Sequence, residues 1–382
     1  MTKSVLVTGG AGFVGSHIVD GLVEHGHRVR VLDRLEPQVH GPDAGSPGFR
    51  PEYLHADADL QVGDAGDPAA IARALEDVDV VFHQAAAVGV GQSMYEIDRY
   101  VERNTQATAV LLQAIVDRQS RRPLERLLVA SSMSIYGEGE YRLADGSQFA
   151  PRPRPDAQLA ERVWEMLGPD GKPVDTVATT EDKPLQPTSV YALSKRDQEE
   201  YSLLVGATYG IPTVALRYFN IYGPRQALSN PYTGVAAIFG SCLLNQAAPT
   251  VYEDGLQSRD FVHVHDIVAA NLLALDADAP LVAGEVFNVG TGRPTNLLEL
   301  YDTLQKALDT PGVTPEIPGR FRAGDIRHCY ADIAKIRAAL GFEPSIALES
   351  GLGDLAGWMR TQEAENLTER AAAELERKGL VH

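Results

Sequence analysis

Thr8-Gly9-Gly10-Ala11-Gly12-Phe13-Val14-Gly15 is the stretch on which the fold turns. It follows the short apolar run Ser4 to Val7 and opens Phe13 to His25, where Val14, Ile18, Leu22 and Val23 recur at helical spacing. A strand feeding a glycine turn and then a helix is the entry unit of a doubly wound parallel sheet. Gly9 lets the backbone turn sharply, Gly12 lets it approach a pyrophosphate, and Gly15 lets the helix pack tightly on the sheet. The helix N-terminus then offers its amides and dipole to the anion. The next strand, Arg28 to Leu32, ends at Asp33. That carboxylate can accept both ribose hydroxyls of NAD and repels the 2′-phosphate of NADP, although Arg34 beside it keeps NADP as an alternative.

The alternation continues outward. Val78 to His83, Leu127 to Ser131 and Thr213 to Arg217 are strand-like, with helical stretches at Pro68 to Leu75, Asp98 to Arg118 and Ser189 to Tyr209. The expected fold is α/β, a Rossmann doubly wound parallel sheet with a smaller C-terminal substrate-binding lobe. Residues 1–218 form the NAD-binding unit and 219–360 the lobe, with 261–290 returning to the sheet through Val286 to Val289. Residues 361–382 read as a charged amphipathic helical tail. One segment breaks the repeat: 138–187 is rich in Pro, Gly, Asp and Arg, with one helical patch near Leu159 to Leu167. It is either a functional loop or lid, or a surface excursion without chemistry.

Composition narrows the class. The 382 residues can bury a large core, and 44% hydrophobic with 23% charged residues is ordinary for a globular protein. A net charge of −18, from 34 basic and 52 acidic residues, argues against nucleic acid or an anionic membrane as partner. The only cysteines, Cys242 and Cys329, exclude a disulfide framework and a four-cysteine metal site. No signal peptide and no membrane-spanning run is visible, so a cytoplasmic protein is expected. His83, His263 and His265 lack metal-site spacing, so no metal is expected, and His83 reads as a strand-end residue beside the cofactor loop.

A second anchor carries the chemistry. In Tyr191-Ala192-Leu193-Ser194-Lys195 a phenol and an ammonium stand at i and i+4 on one helix face. A tyrosine with a pKa near ~10 is a poor base at neutral pH. A nearby ammonium and the positive ring of NAD⁺ both favour the phenolate. Lys195 can also hold the nicotinamide ribose. Ser132, in Ser131-Ser132-Met133-Ser134-Ile135-Tyr136-Gly137, can hydrogen-bond the same substrate oxygen as Tyr191. These groups move a hydride and a proton at a carbinol carbon.

Further motifs complete the picture: Gly63-Asp64, His83-Gln84-Ala85-Ala86, Asn104, Arg217 to Pro224, Ser258 to Val264, and Arg322-Ala323-Gly324-Asp325. With those above they span Thr8 to about Asp332. The chain resembles the extended short-chain dehydrogenases/reductases of the nucleotide-sugar epimerase/dehydratase type. The resemblance implies NAD held by Gly9, Gly12, Phe13, Val14, Gly15, Asp33, Asp64, Ala85, Ala86, Ala87, Asn104, Tyr191 and Lys195. It implies catalysis by Ser132, Tyr191 and Lys195. It implies a nucleotide-diphosphate sugar held by Ser93, Ser132, Ser134, Asn220, Arg259, Arg322 and Asp325, and a homodimer built on Asp98 to Arg118 and Ser189 to Tyr209. Those two helices carry apolar residues beyond the sheet's needs, among them Leu111, Leu112, Ile115, Leu204 and Val205.

The reaction follows partly from absences. Dehydratases resembling this chain carry Asp-Glu, and decarboxylases a Glu, where Met133 and Ser134 stand here. Oxidation followed by return of the hydride remains, which is a 4-epimerase. The runs Ala86 to Glu96 and Gly223 to Gly234, with the insertion, are similar to those of dTDP-L-rhamnose 4-epimerases. Some relatives with that insertion carry cysteine pairs in it; this chain has none between Glu138 and Pro187. A UDP-hexose or UDP-glucuronate 4-epimerase is the alternative, the latter requiring a cation near C6 such as Arg225. A 4-ketosugar reductase and a non-catalytic NAD sensor are the readings from other classes.

Overall fold

The computed structural model describes residues 2–228, 230, 234–322, 324–362 and 368–381. Its seven principal strands are β1 (Ser4–Thr8), β2 (Arg28–Asp33), β3 (Asp59–Val62), β4 (Val80–His83), β5 (Arg126–Ser132), β6 (Thr213–Tyr218) and β7 (Glu285–Val289). They form one sheet in the order β7-β6-β5-β4-β1-β2-β3, every neighbouring pair parallel. Val5, Val7, Phe82 and Leu128 face one core, and Leu6, Val81, Leu127 and Val129 face the other. Strands covered on both faces need apolar residues on both, which is why these runs do not alternate with polar ones.

The larger helices are α1 (Phe13–Glu24), α2 (Ala107–Arg118), α3 (Val190–Tyr209), α4 (Val235–Leu244), α5 (Val264–Asp276), α6 (Leu297–Leu308), α7 (Leu348–Met359) and α8 (Thr368–Arg377). α1 and α5 share one face of the sheet; a Cβ at Gly21 would meet Val268 at 2.7 Å, so the glycine sets their approach. Leu111, Leu112 and Ile115 are buried against the opposite face. They serve the sheet, contrary to the expectation that they are spare, whereas Leu204 is 65% exposed. The expected helix Asp98 to Arg118 is interrupted by a π-helical turn at Val101–Gln106, which carries Asn104.

The strand order reverses between β1 and β4, so the loops leaving their carboxyl ends diverge and open a crevice. Above it sits a second core, in which Phe239 and Leu243 of α4, Leu300 and Leu304 of α6, and Leu352 and Leu355 of α7 are buried together. Small strands join the parts. Asn220–Tyr222 runs parallel to Phe261–His263, and Ser258–Arg259 lies between Thr295–Asn296 and His328–Cys329.

The insertion is a folded unit. Glu140–Arg142 is the centre of a three-stranded antiparallel sheet with Gln148–Phe149 and Asp175–Val177. Its one helix is a short turn, Asp156–Ala160, not the expected Leu159 to Leu167. Arg162, at φ +58°, ends it, and Met166 is buried in irregular backbone. The apolar spacing of Leu159, Val163 and Met166 imitated a helix that this left-handed residue does not allow.

Candidate active site

One cavity of about 1150 Å³ runs from the glycine turn across the carboxyl ends of β1, β4 and β5 into the second lobe. All the residues expected to touch cofactor or substrate line it except two, Ser93 and Asn104.

At one end, α1 begins at Gly12 without a side-chain cap. The amides of Phe13, Val14 and Gly15, which precede the first intrahelical bond, therefore point free toward the cavity. Gly9, at φ +68°, lies against the backbone of Ala85, which a Cβ would approach to 2.8 Å. Only glycine lets the two cofactor loops close on each other there. Asp33 is nearly buried; its Oδ2 accepts from the Ala11 amide (3.0 Å) and its Oδ1 from the Leu35 amide (2.9 Å). Those bonds fix the carboxylate and leave each oxygen a further lone pair for a ribose hydroxyl. Arg34 pairs with Asp64 at 2.9 Å and also reaches Glu36, so its charge is already engaged.

In the middle, Ser189 caps α3 by accepting from the Ala192 amide at 3.1 Å, which sets Tyr191 and Lys195 over β5. Ser132 is at the end of β5, its Oγ accepting from the amide and the hydroxyl of Ser134 at 3.2 and 2.9 Å. Burial raises the Tyr191 phenol above its ordinary pKa, and a hydrogen bond with Ser132 opposes that by favouring the phenolate. Burial also lowers Lys195 to about 7, with Glu199 acting against the shift. The Lys195 ammonium donates to the Ala130 carbonyl (2.5 Å) and to Gln198 Oε1 (2.8 Å).

Behind these groups lies a polar layer that the sequence did not disclose. Gln198 Nε2 donates to the Ala85 carbonyl (3.2 Å) and to Thr108 Oγ1 (2.9 Å). His83 shares hydrogen bonds of 2.8 Å with both Thr8 and Thr108, and burial pushes it down to about 3, so it is neutral. Asn104 acts from behind as well. It accepts from the Ala87 amide (2.7 Å) and donates to the Ala87 carbonyl (3.1 Å) and to Ser194 (2.8 Å), clamping the cofactor loop to α3. Ser93 is fully buried and donates to the Val90 carbonyl at 2.6 Å; it faces its own helical turn and not the cavity.

At the far end, Arg259 donates to three carbonyls: Ser258 (2.8 Å), Arg327 (3.0 Å) and Ile326 (2.7 Å). Arg322 pairs with Asp325 at 3.3 Å and stacks over the Tyr252 ring at 4.3 Å. Two guanidinium groups and Asn220 line this end of the cavity, a set of donors whose chemistry suits an anion. Leu375 of α8 also lines the cavity, with Glu376 paired to Arg320 at 2.6 Å and Val381 bridged to Arg322. Nothing in the sequence pointed to it, since amphipathic spacing does not say where a tail docks.

Residues 5–155 and 164–290 match the model of the NAD dependent epimerase/dehydratase family. The chain belongs to that family. Its cofactor is NAD, which the uncapped amides of α1 and the fixed Asp33 carboxylate suit. A dTDP-L-rhamnose 4-epimerase of Burkholderia thailandensis is 35% identical over 94% of this chain and 95% of its own. A putative UDP-glucose 4-epimerase of Methanocaldococcus jannaschii is 32% identical over 93% and 98%. Among solved structures, the UDP-glucose 4-epimerase of Thermotoga maritima with UDP-glucose superposes with a TM-score of 0.75 at 30% identity, over 94% of this chain and 99% of that one. Family membership makes the chain an NAD-dependent enzyme acting on nucleotide sugars. Among the described residues no helix is long and apolar enough to cross a membrane, and no three His, Cys, Asp or Glu side chains form a metal-ion group.

Proposed function

We propose that this enzyme inverts C4 of a nucleotide-bound sugar by oxidation and re-reduction, and that dTDP-L-rhamnose and dTDP-6-deoxy-L-talose are its substrate pair. The observation that carries the reading is that no carboxylic acid of the cavity stands unengaged beside Ser132 and Tyr191, while Glu199, which acts on Lys195, is held behind it by Arg217 and Ser131. Among the described residues the cavity's carboxylates are Asp33, Glu36, Asp64, Glu316 and Asp325. Asp33 is tied to backbone amides, Glu36 to Arg103 at 2.8 Å, Asp64 to Arg34 and Asp325 to Arg322. Glu316 stands in the far lobe, where its backbone pairs with that of Thr250. Met133 and Ser134 occupy the two places beside Ser132 where an acid for elimination would stand.

NAD, when bound, accepts the C4 hydride and returns it. Tyr191 takes the C4 hydroxyl proton as that hydride leaves, which turns the carbinol into a ketone. Ser132 donates to the same oxygen and orients it. Lys195, packed one turn beyond Tyr191, holds the ribose side and favours the phenolate electrostatically. The ketone turns over between Tyr191 and the Val88 to Gly91 wall, and Tyr191 gives its proton back after the hydride arrives on the opposite face. Arg259, Arg322, Asp325 and Asn220 retain the diphosphate and its ribose meanwhile.

A deoxy sugar is supported by the lining. Arg225, the candidate cation for a hexuronate, pairs with Asp20 at 2.7 Å and stacks on Tyr53, outside the cavity wall. The arginines at that wall, Arg34, Arg99 and Arg103, are paired with carboxylates, and Val88, Val90 and Leu375 are apolar neighbours that suit a methyl at C6 better than a carboxylate. A UDP-hexose is the second reading, supported by the Methanocaldococcus and Thermotoga relatives. The decisive experiment is proton NMR of purified protein, without added cofactor, against dTDP-L-rhamnose, UDP-glucose and UDP-glucuronate. A new C4 epimer from the first alone is expected. No epimer from any, with NADH consumed by a 4-ketosugar, would replace this reading by a reductase.

We also propose a homodimer through the outward faces of Ile97–Arg118 and α3, where Ile97, Val101, Leu193 and Leu204 are exposed. Light scattering at twice the 41.2 kDa chain mass is the expected result.

A further inference from the structure

The insertion places buried charge where no catalytic step needs it. Arg154 has no exposed side-chain surface. Its guanidinium grips the Glu253 carboxylate through both terminal nitrogens (3.0 and 2.7 Å) and donates to the Trp164 carbonyl (2.7 Å) and the Asp325 carbonyl (3.1 Å). Arg327, equally buried, donates to Glu253 (3.0 Å), to both oxygens of Asp254 (2.6 and 3.0 Å) and to Glu165 of the insertion (3.1 Å). Glu165 also meets His328 at 3.2 Å, and that hydrogen bond with the Arg327 charge pulls its carboxyl down to about 2. Glu138, at the insertion's start, accepts the amides of Arg327 (2.7 Å) and His328 (2.8 Å).

These contacts converge on one short stretch. The carbonyls of Ile326 and Arg327 are two of the three that hold the Arg259 guanidinium. The Asp325 carbonyl held by Arg154 belongs to the residue paired with Arg322. Glu253 is at φ +57° and follows Tyr252, the ring on which Arg322 stacks. A non-glycine residue keeps that backbone only where its surroundings enforce it, and the bidentate Arg154 does so. A buried ion cluster is a poor source of stability compared with apolar packing of the same volume. Planar forked donors instead fix the positions of the oxygens they bind.

We propose that the 138–187 insertion is a positioning element of the nucleotide-sugar pocket. Through Arg154 and Glu165 it sets residues 325–328 so that Arg259, Arg322 and Asp325 meet the diphosphate. The proposal rests on reading Arg259 and Arg322 as diphosphate ligands.

The test uses the NAD-loaded, full-length protein and titrates dTDP and UDP calorimetrically, alongside kcat, KM, Tm and NAD retention. Glu165 is half exposed, so Glu165→Gln is the variant least able to unfold the protein. It is expected to weaken nucleoside diphosphate binding about tenfold and raise KM in step, with kcat, Tm and NAD retention near wild type. Arg154→Met weakens binding further, and Arg154→Lys recovers part of the loss. If Arg154→Met does not fold, Glu165→Gln and Arg154→Lys carry the test. Arg259→Met is the control. Should it lose the nucleotides while Glu165→Gln and Arg154→Lys bind them like wild type, the positioning role is overturned and the pocket stands. Should Arg259→Met bind them normally, the pocket assignment itself falls, and the proposal with it.

Discussion

A Cβ on Gly15 would lie 2.2 Å from the carbonyl oxygen of Gly9, whereas one on Gly12 would stand 3.4 Å from the same atom. The two glycines therefore do different work. Gly15 brings α1 against the strand that precedes it, and Gly12, at φ −72°, has backbone any residue adopts. Gly15→Ala is expected to give insoluble or strongly destabilised protein. Gly12→Ala should fold with Tm close to wild type yet purify without NAD, because the added methyl occupies pyrophosphate space. Thermal melts and the absorbance of released cofactor check both, and equal behaviour of the two variants would contradict this division.

Tyr191→Phe removes the phenol hydrogen-bonded to Ser132 in the proposed proton path, and Ser132→Ala removes its partner. Turnover is expected to fall by roughly 10³ or more in the first and roughly 10² in the second. NAD content should stay at the wild-type level in both, since neither change touches the glycine turn. Retained activity in Tyr191→Phe would sink the mechanism.

Lys195 predicts a pH-dependent stability. Its pKa is about 7 in the fold against an ordinary value of 10.5. Between those pH values the unfolded chain binds the extra proton, so stability rises with pH through that window; below it the burial cost is full. Lys195→Met should raise the Tm of cofactor-free protein by several degrees at pH 6 and by less at pH 9, while abolishing turnover. A larger gain at pH 9 would reverse the assignment.

Arg34 is the residue that left NADP open, and its pairs with Asp64 and Glu36 predict that it does not select the cofactor. Arg34→Ala is expected to keep NAD affinity within about threefold and to gain or lose no NADP binding. Fluorescence titration of the apo protein with each cofactor measures it; a selective loss of NADP binding would show a phosphate site at Arg34.

The Rossmann sheet was legible because each of its signals is local: an apolar run, a glycine turn, a carboxylate at a strand end. Tyr191 and Lys195 were legible for the same reason, being one helical turn apart. A serine in a motif does not disclose which side of its own turn it faces, and the Ser93 hydroxyl is held by the Val90 carbonyl of that turn. Gln198 and Asn104 needed three dimensions, since each links segments remote in sequence. The insertion was the least legible. Arg154 and Glu165 carry no signal of their own in the sequence, and only the contacts of Arg154 with Glu253 and of Glu165 with Arg327, far along the chain, show their place.

The docking of Leu375 and Val381 at the cavity has a practical side. Leu375 lines the cavity and Val381 is bridged to Arg322 beside it, while Ser4 starts β1 at the amino edge of the sheet, away from the site. An affinity tag at the carboxyl end therefore follows a segment that borders the pocket, and one at the amino end precedes a strand that starts away from it. Kinetic constants from the two kinds of preparation are not interchangeable.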